Sequence, residues 1–292
     1  MKALSSILGL DFEKNYDTVL ERSELRYGHI MLMTDQDTDG SHIKGLVINF
    51  FRHFWPKLLI PPVDCPEEKA FFSSFVTPLL KAFRRSSGKV KEKTFYSLPE
   101  YNKWRSSLSD GEINRWKIKY YKGLGTSTQA EAKTYFRNFA NHQKIFQWDS
   151  EEDGHQLDMV FEKDRAGDRR DWLLNAEHNT ASDDSTFEDS VTFKDFVNLE
   201  MIQFSHSDNI RSIPSVIDGL KPSQRKVLYA CFKRNLKQEI KVAQLAGYCA
   251  EHTAYHHGEA SLQSTSKWGL LCFKQQLAIT IDYNSPFLFF HQ

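Results

Sequence analysis

The four cysteines of this 292-residue chain, Cys65, Cys231, Cys249 and Cys272, are few and scattered, and none forms a C-x-x-C pair. That pattern argues against a disulfide-built secreted scaffold and suits a reducing compartment. Cys249, His252, His256 and His257 lack the partner pair that the usual four-ligand zinc sites require. Long apolar runs are missing too. No stretch approaches the roughly 20 residues a helix needs to cross a bilayer, so a soluble protein without a membrane partner is expected. Met1 to Leu10 has only a short apolar run and no small-residue cleavage site, and it reads as a helix ending near Gly9. Net charge is absent as well: 38 Lys and Arg balance 38 Asp and Glu. A nucleic-acid surface must therefore come from local clustering. The length allows one large domain or two ordinary ones.

What is present is concentrated first in Met31-Leu32-Met33-Thr34-Asp35-Gln36-Asp37-Thr38-Asp39-Gly40-Ser41-His42, with carboxylates on alternate residues. Asp35, Asp37 and Asp39 supply the hard oxygen ligands that Mg²⁺ takes, usually one or two carboxylates together with waters and a substrate phosphate. A solvated acidic turn fits the same spacing. An EF-hand does not, because its twelfth position requires Glu and here is Leu46. Ile30 to Met33 is an apolar run of buried-strand type, although a piece of helix has the same periodicity. Beyond Gly40, the apolar residues Ile43, Leu46, Val47, Phe50, Phe51, Phe54 and Leu58 mark one face of a helix, with Gly40 permitting the turn and Ser41 as its cap. Pro56 ends that helix.

Downstream, 59–74 reads as a loop, 75–82 as a strand, 84–93 as a basic loop and 94–98 as a second strand. A helix follows from Pro99. Trp116 to Tyr121 alternates as an edge strand, and Lys122-Gly123-Leu124-Gly125-Thr126-Ser127 leads into a helix over 128–139. Two glycines beside a lysine before a helix suit a phosphate-binding loop, and equally a plain strand-turn-helix connection. Residues 148–190, with the acidic run Asp149 to Asp153 and the polar Ser182 to Ser185, read as a linker. From Arg211 to Lys241, eight cationic residues face two acidic ones. That cluster matches an electrostatic footprint for a phosphate backbone, and also a generic basic helix.

Asp35 to Leu46 resembles the acidic motif of the TOPRIM domain in type II DNA topoisomerases, in its eukaryotic form. The Tyr121-Lys122-Gly123-Leu124-Gly125-Thr126 segment is similar to a segment of the same family. So are Arg211-Ser212-Ile213-Pro214, Asp218 to Pro222, Gln224 to Leu228, Val242 to Gly247 and Tyr255-His256-His257-Gly258-Glu259. The implied fold is α/β plus α+β: a truncated, Rossmann-like TOPRIM domain with an extension, then a partial winged-helix domain. The expected divisions are 1–75 (TOPRIM core), 76–147 (extension), 148–190 (acidic linker with a short helix), 191–262 (start of the winged-helix breakage-reunion domain) and 263–292 (a divergent, aromatic-rich tail with the character of a disordered or aggregation-prone segment).

The resemblance implies Mg²⁺ at Asp35, Asp37 and Asp39, with His257 near the scissile phosphate. It implies double-stranded DNA against Lys44, Lys122, Gly123, Arg169, Arg170, Arg211, Lys221, Arg225, Lys226, Tyr255, His256 and Ser261. For the full-length family enzyme it implies ATP, a homodimer and the nucleus. It also marks departures from the family pattern. The Glu-Gly-Asp strand whose glutamate completes the family's metal site is missing, and Glu112, after Gly111, lies in a polar loop. No Arg-Tyr pair follows Leu262, and Tyr283 follows Asp282. No ATP site is present. The chain alone is therefore expected to be catalytically incomplete, with non-catalytic DNA binding or subunit pairing as the alternative role.

Overall fold

The computed structural model describes residues 2–68, 70–86, 89–121, 124–179, 189–236, 238, 240–255 and 257–266. The chain divides into two compact units, Met1–Ser205 and His206–Gln292. Lys122, Gly123 and His256 lie outside the described residues, as do Ser182 to Ser185, Lys237 and the tail beyond 266.

The first unit opens with α1 (Lys2–Leu8). Gly9 ends it at φ +75°, and the Leu10 N–H closes the turn onto the Ser5 carbonyl at 2.9 Å. That is the left-handed termination for which glycine carries no Cβ penalty. After α2 (Val19–Ser23), the apolar run becomes β1 (Ile30–Leu32), and the acidic loop leads from it into α3 (Thr38–Phe54). A 3₁₀ turn, Pro56–Leu59, follows where proline stops the helix. Next come β2 (Phe72–Phe75), β3 (Leu80–Ser86), β4 (Lys89–Phe95), α4 (Leu98–Ser106), α5 (Asp110–Ile113), β5 (Lys117–Tyr120), α6 (Gln129–Arg137) and β6 (Gln143–Gln147). They are followed by α7 (Glu151–Phe161), α8 (Ala166–Asn179), β7 (Ser190–Thr192) and α9 (Phe193–Asp195). A π-helix, Phe196–Met201, then passes into α10 (Ile202–Ser212).

Two sheets organise these elements. One has the order β1-β2-β6-β7, with β1–β2 and β6–β7 parallel and β2–β6 antiparallel. The other is the antiparallel β4-β3-β5. The main core gathers Ile48, Phe51 and Trp55 from α3 and its C-terminal end, Phe72 and Phe146 from the first sheet, Leu157 from α7, and Phe193, Phe196 and Val197. Burial of such aromatic and aliphatic side chains is the dominant force holding the layers together.

Several expectations are corrected. β2 lies in the stretch read as loop. All four of its residues are buried, so it lacks the alternation that marks a half-exposed strand. The strand read over 75–82 begins only at Leu80. The basic 84–93 stretch is most of the β3–β4 hairpin, where lysines and arginines occupy paired strand positions. The stretch 148–190, expected as an acidic linker with a short helix, holds α7 in addition to α8. The acidic run is the start of α7, where carboxylates complement the positive end of the helix dipole. Asp153, only 1 % exposed, accepts from the Asp149 and Ser150 N–H groups at 2.7 and 3.1 Å. Glu112 lies in α5 rather than in a loop.

In the second unit, α11 (Pro222–Lys233) and α12 (Val242–His252) pack through Val227, Ala230, Cys231, Leu245, Ala246 and Cys249, with Leu262 from the helical stretch 259–266. Cys249 is a core residue here. Among the described residues no helix is long and apolar enough to cross a membrane.

Candidate metal-binding loop and basic helices

The acidic loop is shaped by its own backbone. Asp37, not Ser41, caps α3: its Oδ1 accepts from the Gly40 N–H at 2.7 Å, satisfying an amide that has no partner inside the helix. Gly40 is obligatory for a different reason. A Cβ at that position would lie 1.9 Å from the Asp35 carbonyl oxygen, so the loop doubles back against the first turn. Asp35 is exposed, and Asp37 and Asp39 are half-buried. Burial, and secondarily the Asp37 carboxylate, raise the Tyr120 phenol above its ordinary value.

The buried face of α3 is rotated from the one periodicity suggested. Ser41, Lys44, Gly45, Ile48 and Phe51 are buried, whereas Ile43, Leu46 and Phe54 are exposed. Lys44, expected against DNA, points inward. Its side chain is 2 % exposed and its Nζ donates to Glu200 Oε2 at 2.5 Å, above the Phe196 ring. Ser41 Oγ donates to the same Glu200 oxygen at 3.1 Å. Burial would push the Glu200 carboxyl up, but the Lys44 charge and hydrogen bond, with Lys144 and Ser41, hold it below its ordinary value. Glu200 is the residue that sequence reasoning missed. It lies 156 positions from Lys44, and no motif marks it.

Among the described residues, no three His, Cys, Asp or Glu side chains converge as a ready-made metal cage. The donor chemistry of Asp35, Asp37 and Asp39 nevertheless fits a hard divalent cation. Such an ion needs only one or two carboxylates and retains waters for a substrate oxygen to replace.

A second network flanks the glycine loop. Glu131, near the start of α6, accepts from the Thr128 N–H at 2.7 Å and Oγ at 2.9 Å, from Lys119 Nζ at 3.1 Å, and from the Tyr121 hydroxyl. Although burial works against the charge, these donors hold Glu131 down at about 2. Arg169 caps α7, donating to the Met159 carbonyl at 3.0 Å and the Glu162 carbonyl at 2.5 Å. Arg169, expected against the DNA backbone, thus has carbonyl partners at the end of α7. Arg170 is exposed beside Asp171.

In the second unit, Gly219 at φ +68° turns the chain so that Asp218 accepts from the Leu220 N–H and pairs with both Arg225 nitrogens at 2.9 and 2.8 Å. Arg211 pairs with Asp208 at 3.0 Å. The Lys221 N–H is held by Gln224 at 2.8 Å where α11 begins. Lys226 Nζ reaches the Ala254 carbonyl at 3.4 Å and lies 5.8 Å from the Tyr255 ring. His257, exposed, meets Tyr255 edge-on with 5.5 Å between centroids, and Ser261 is exposed. The geometry thus gathers Lys226, Tyr255 and His257, while Arg211 and Arg225 hold surface ion pairs whose carboxylate a phosphate could replace at little cost.

Residues 75–209 match the family model of the C-terminal associated domain of TOPRIM, and residues 211–266 match that of the A-type subunit of DNA gyrase/topoisomerase IV. The mitochondrial DNA topoisomerase 2 of Dictyostelium discoideum is 49 % identical over 262 residues, covering 90 % of this chain and 19 % of that protein. The chain belongs to the eukaryotic type II DNA topoisomerase family. Human DNA topoisomerase 2-alpha is 47 % identical over 272 residues, 89 % of this chain and 17 % of its own length. The crystal structure of the Plasmodium falciparum topoisomerase II DNA-binding, cleavage and re-ligation domain superposes with a TM-score of 0.70 at 49 % identity, over 90 % of this chain and 34 % of that one. The chain spans less than a fifth of the length of these curated topoisomerases. Its TOPRIM-associated and gyrase-type parts account for the mixed α and β architecture.

Proposed function

We propose that this topoisomerase-family chain supplies the Mg²⁺-holding acidic loop and part of the duplex-binding surface of a reaction that cleaves and religates double-stranded DNA through a 5′-phosphotyrosine link, passing a second duplex through the break. The observation that carries this is the strand-loop-helix junction that places Asp35, Asp37 and Asp39 at the start of α3, with Asp37 pinned by its cap. Asp35 and Asp37 would hold the ion and Asp39 support them. When bound, the ion supplies charge stabilisation at phosphate oxygens. The chain's own residues hold the duplex. Arg170, Arg211, Lys221, Arg225 and Lys226 contact the phosphate backbone, Tyr255 and Ser261 contact the DNA, and His257 lies near the scissile phosphate. Lys122, Gly123 and His256, which lie outside the described residues, are proposed as DNA contacts on the family resemblance of their motifs alone. ATP, a homodimer and the nucleus are features of the whole enzyme in this proposal, although one relative is named mitochondrial.

The 292 residues alone bind duplex DNA without relaxing it, because activated-nucleophile chemistry depends on the full constellation and loses orders of magnitude when a member is missing. The test is fluorescence anisotropy with a duplex of about 30 base pairs at several salt concentrations, beside a plasmid relaxation assay with ATP and Mg²⁺. Salt-dependent binding without relaxation is expected. Relaxation by this chain alone, or no DNA binding at low salt, overturns the proposal.

A further inference from the structure

We infer that Glu200 is a positioning residue for the acidic loop, holding the first turns of α3 so that Asp37 and Asp39 are presented to a divalent cation. Its role presupposes the cation site proposed above. Four contacts join these turns to the π-helix and the start of α10. Ser41 and Lys44 both donate to Glu200 Oε2. His42 stacks on Phe204 with 3.9 Å between centroids. Gly45 lies so close to Met201 that an added Cβ would be 2.8 Å from its sulfur.

The π-helix is a widened turn, shown by the Ile202 N–H donating to the Val197 carbonyl five residues back. Such segments re-aim a side chain within a helix and recur at functional sites. Here the carboxylate of Glu200 becomes the common acceptor for a hydroxyl and an ammonium on successive turns of α3. Ser41 also touches the Asp37 carbonyl at 3.4 Å. The single Ser41 hydroxyl proton is thus placed between Glu200 and the backbone of the residue that caps the helix and carries the carboxylate. Glu200 also confines the Lys44 ammonium. Without it, a buried cation on the helix of Asp37 and Asp39 would seek those carboxylates and compete with the metal. Partners of this outer kind generally matter to metal affinity by about 10- to 100-fold.

The experiment uses the complete 292-residue chain and Mn²⁺ as a paramagnetic substitute for Mg²⁺, with the dissociation constant read from water-proton relaxation and folding followed by circular dichroism. Asp35→Asn tests the site itself and must weaken Mn²⁺ binding. If it does not, the cation-site reading fails irrespective of Glu200. With that established, Glu200→Gln is expected to weaken Mn²⁺ about tenfold at a temperature where both proteins are folded. Ser41→Ala, which removes the link without stranding a charge, weakens it by a smaller factor and decides the matter if Glu200→Gln does not fold. A lowered melting temperature with unchanged Mn²⁺ affinity in the folded variants reduces Glu200 to a packing residue and overturns the inference.

Discussion

Gly40→Ala separates the geometry of the acidic loop from ordinary helix energetics, because the two predict opposite signs. Gly40 is the third residue of α3, and alanine in a helix is favoured over glycine by about 1 kcal/mol. The loop reverses the outcome. The new Cβ would lie 1.9 Å from the Asp35 carbonyl oxygen and 2.9 Å from its carbon, with Thr34 Oγ1 at 3.1 Å. Comfortable contacts are about 3.5 Å, so backbone must move by more than about 1 Å, and backbone yields less readily than the end of a flexible side chain. Overpacking of this kind costs about 1–3 kcal/mol, and the upper end applies because the obstacle is a peptide group. After the propensity gain the net loss is about 2 kcal/mol, or a melting temperature lower by about 4–8 °C for a unit of this size. Asp35 is displaced in the same movement, so Mn²⁺ affinity falls with stability. Urea denaturation and relaxation titration of the two proteins provide the measurement. A Gly40→Ala chain as stable as the parent with the same metal affinity would refute the proposed loop geometry.

Lys44→Ala leaves the Glu200 carboxylate largely buried without its ammonium, and should cost about 3–5 kcal/mol in urea denaturation; a loss below about 1 kcal/mol would return Lys44 to the surface. Glu131, whose folded value is depressed to about 2 against an ordinary 4.5, contributes stability that is present above pH 4.5 and disappears as pH falls through about 2. The melting-temperature gap between the parent and Glu131→Gln should therefore be constant above about pH 5 and close toward about pH 2. Lys226→Ala should lower duplex affinity and reduce the slope of log affinity against log salt by about one unit, whereas Arg169→Ala should act mainly on thermal stability through the end of α7.

Local signals were legible where a residue acts on its own neighbourhood. Gly9 ends α1, and Thr128 caps α6 with a reciprocal bond from Glu131. Both are readable because the chemistry is completed within a few positions. β2 was not readable. Phe72-Ser73-Ser74-Phe75 is buried on both faces, and its two serines erase the hydrophobic run that would reveal a buried strand. The acidic start of α7 imitates a linker in composition. Only the burial of Leu157 and Met159, together with Arg52 of α3 holding Asp158 at 3.2 and 3.1 Å, turns it into core structure. Gly154 adds to this: a Cβ there would meet Arg52 at 2.7 Å and Trp148 at 3.0 Å, a closeness no sequence pattern announces.

The acidic motif shows the same division most clearly. Its ligand chemistry can be read from alternate aspartates, since hard cations take hard oxygens wherever the chain presents them. Its stiffness cannot. Asp37 is fixed by a cap three residues away, but the helix it begins is anchored by Glu200, Met201 and Phe204, which arrive from the far end of the same unit. The rotated burial of α3 follows from this anchoring. With a carboxylate available on the π-helix, Lys44 can enter the interior as half of an ion pair, and Ile43 and Leu46 turn outward in exchange. A lysine on the buried face misleads any reading based on hydrophobic period, because the charge that makes its burial tolerable is not local. Exchanging the pair tests this directly. Lys44→Met with Glu200→Met should recover most of the stability lost in Lys44→Ala, as apolar replacement of buried pairs generally does, yet leave Mn²⁺ affinity reduced, since the Ser41 contact to Glu200 is gone. Recovery of both stability and affinity would mean that the pair serves packing alone.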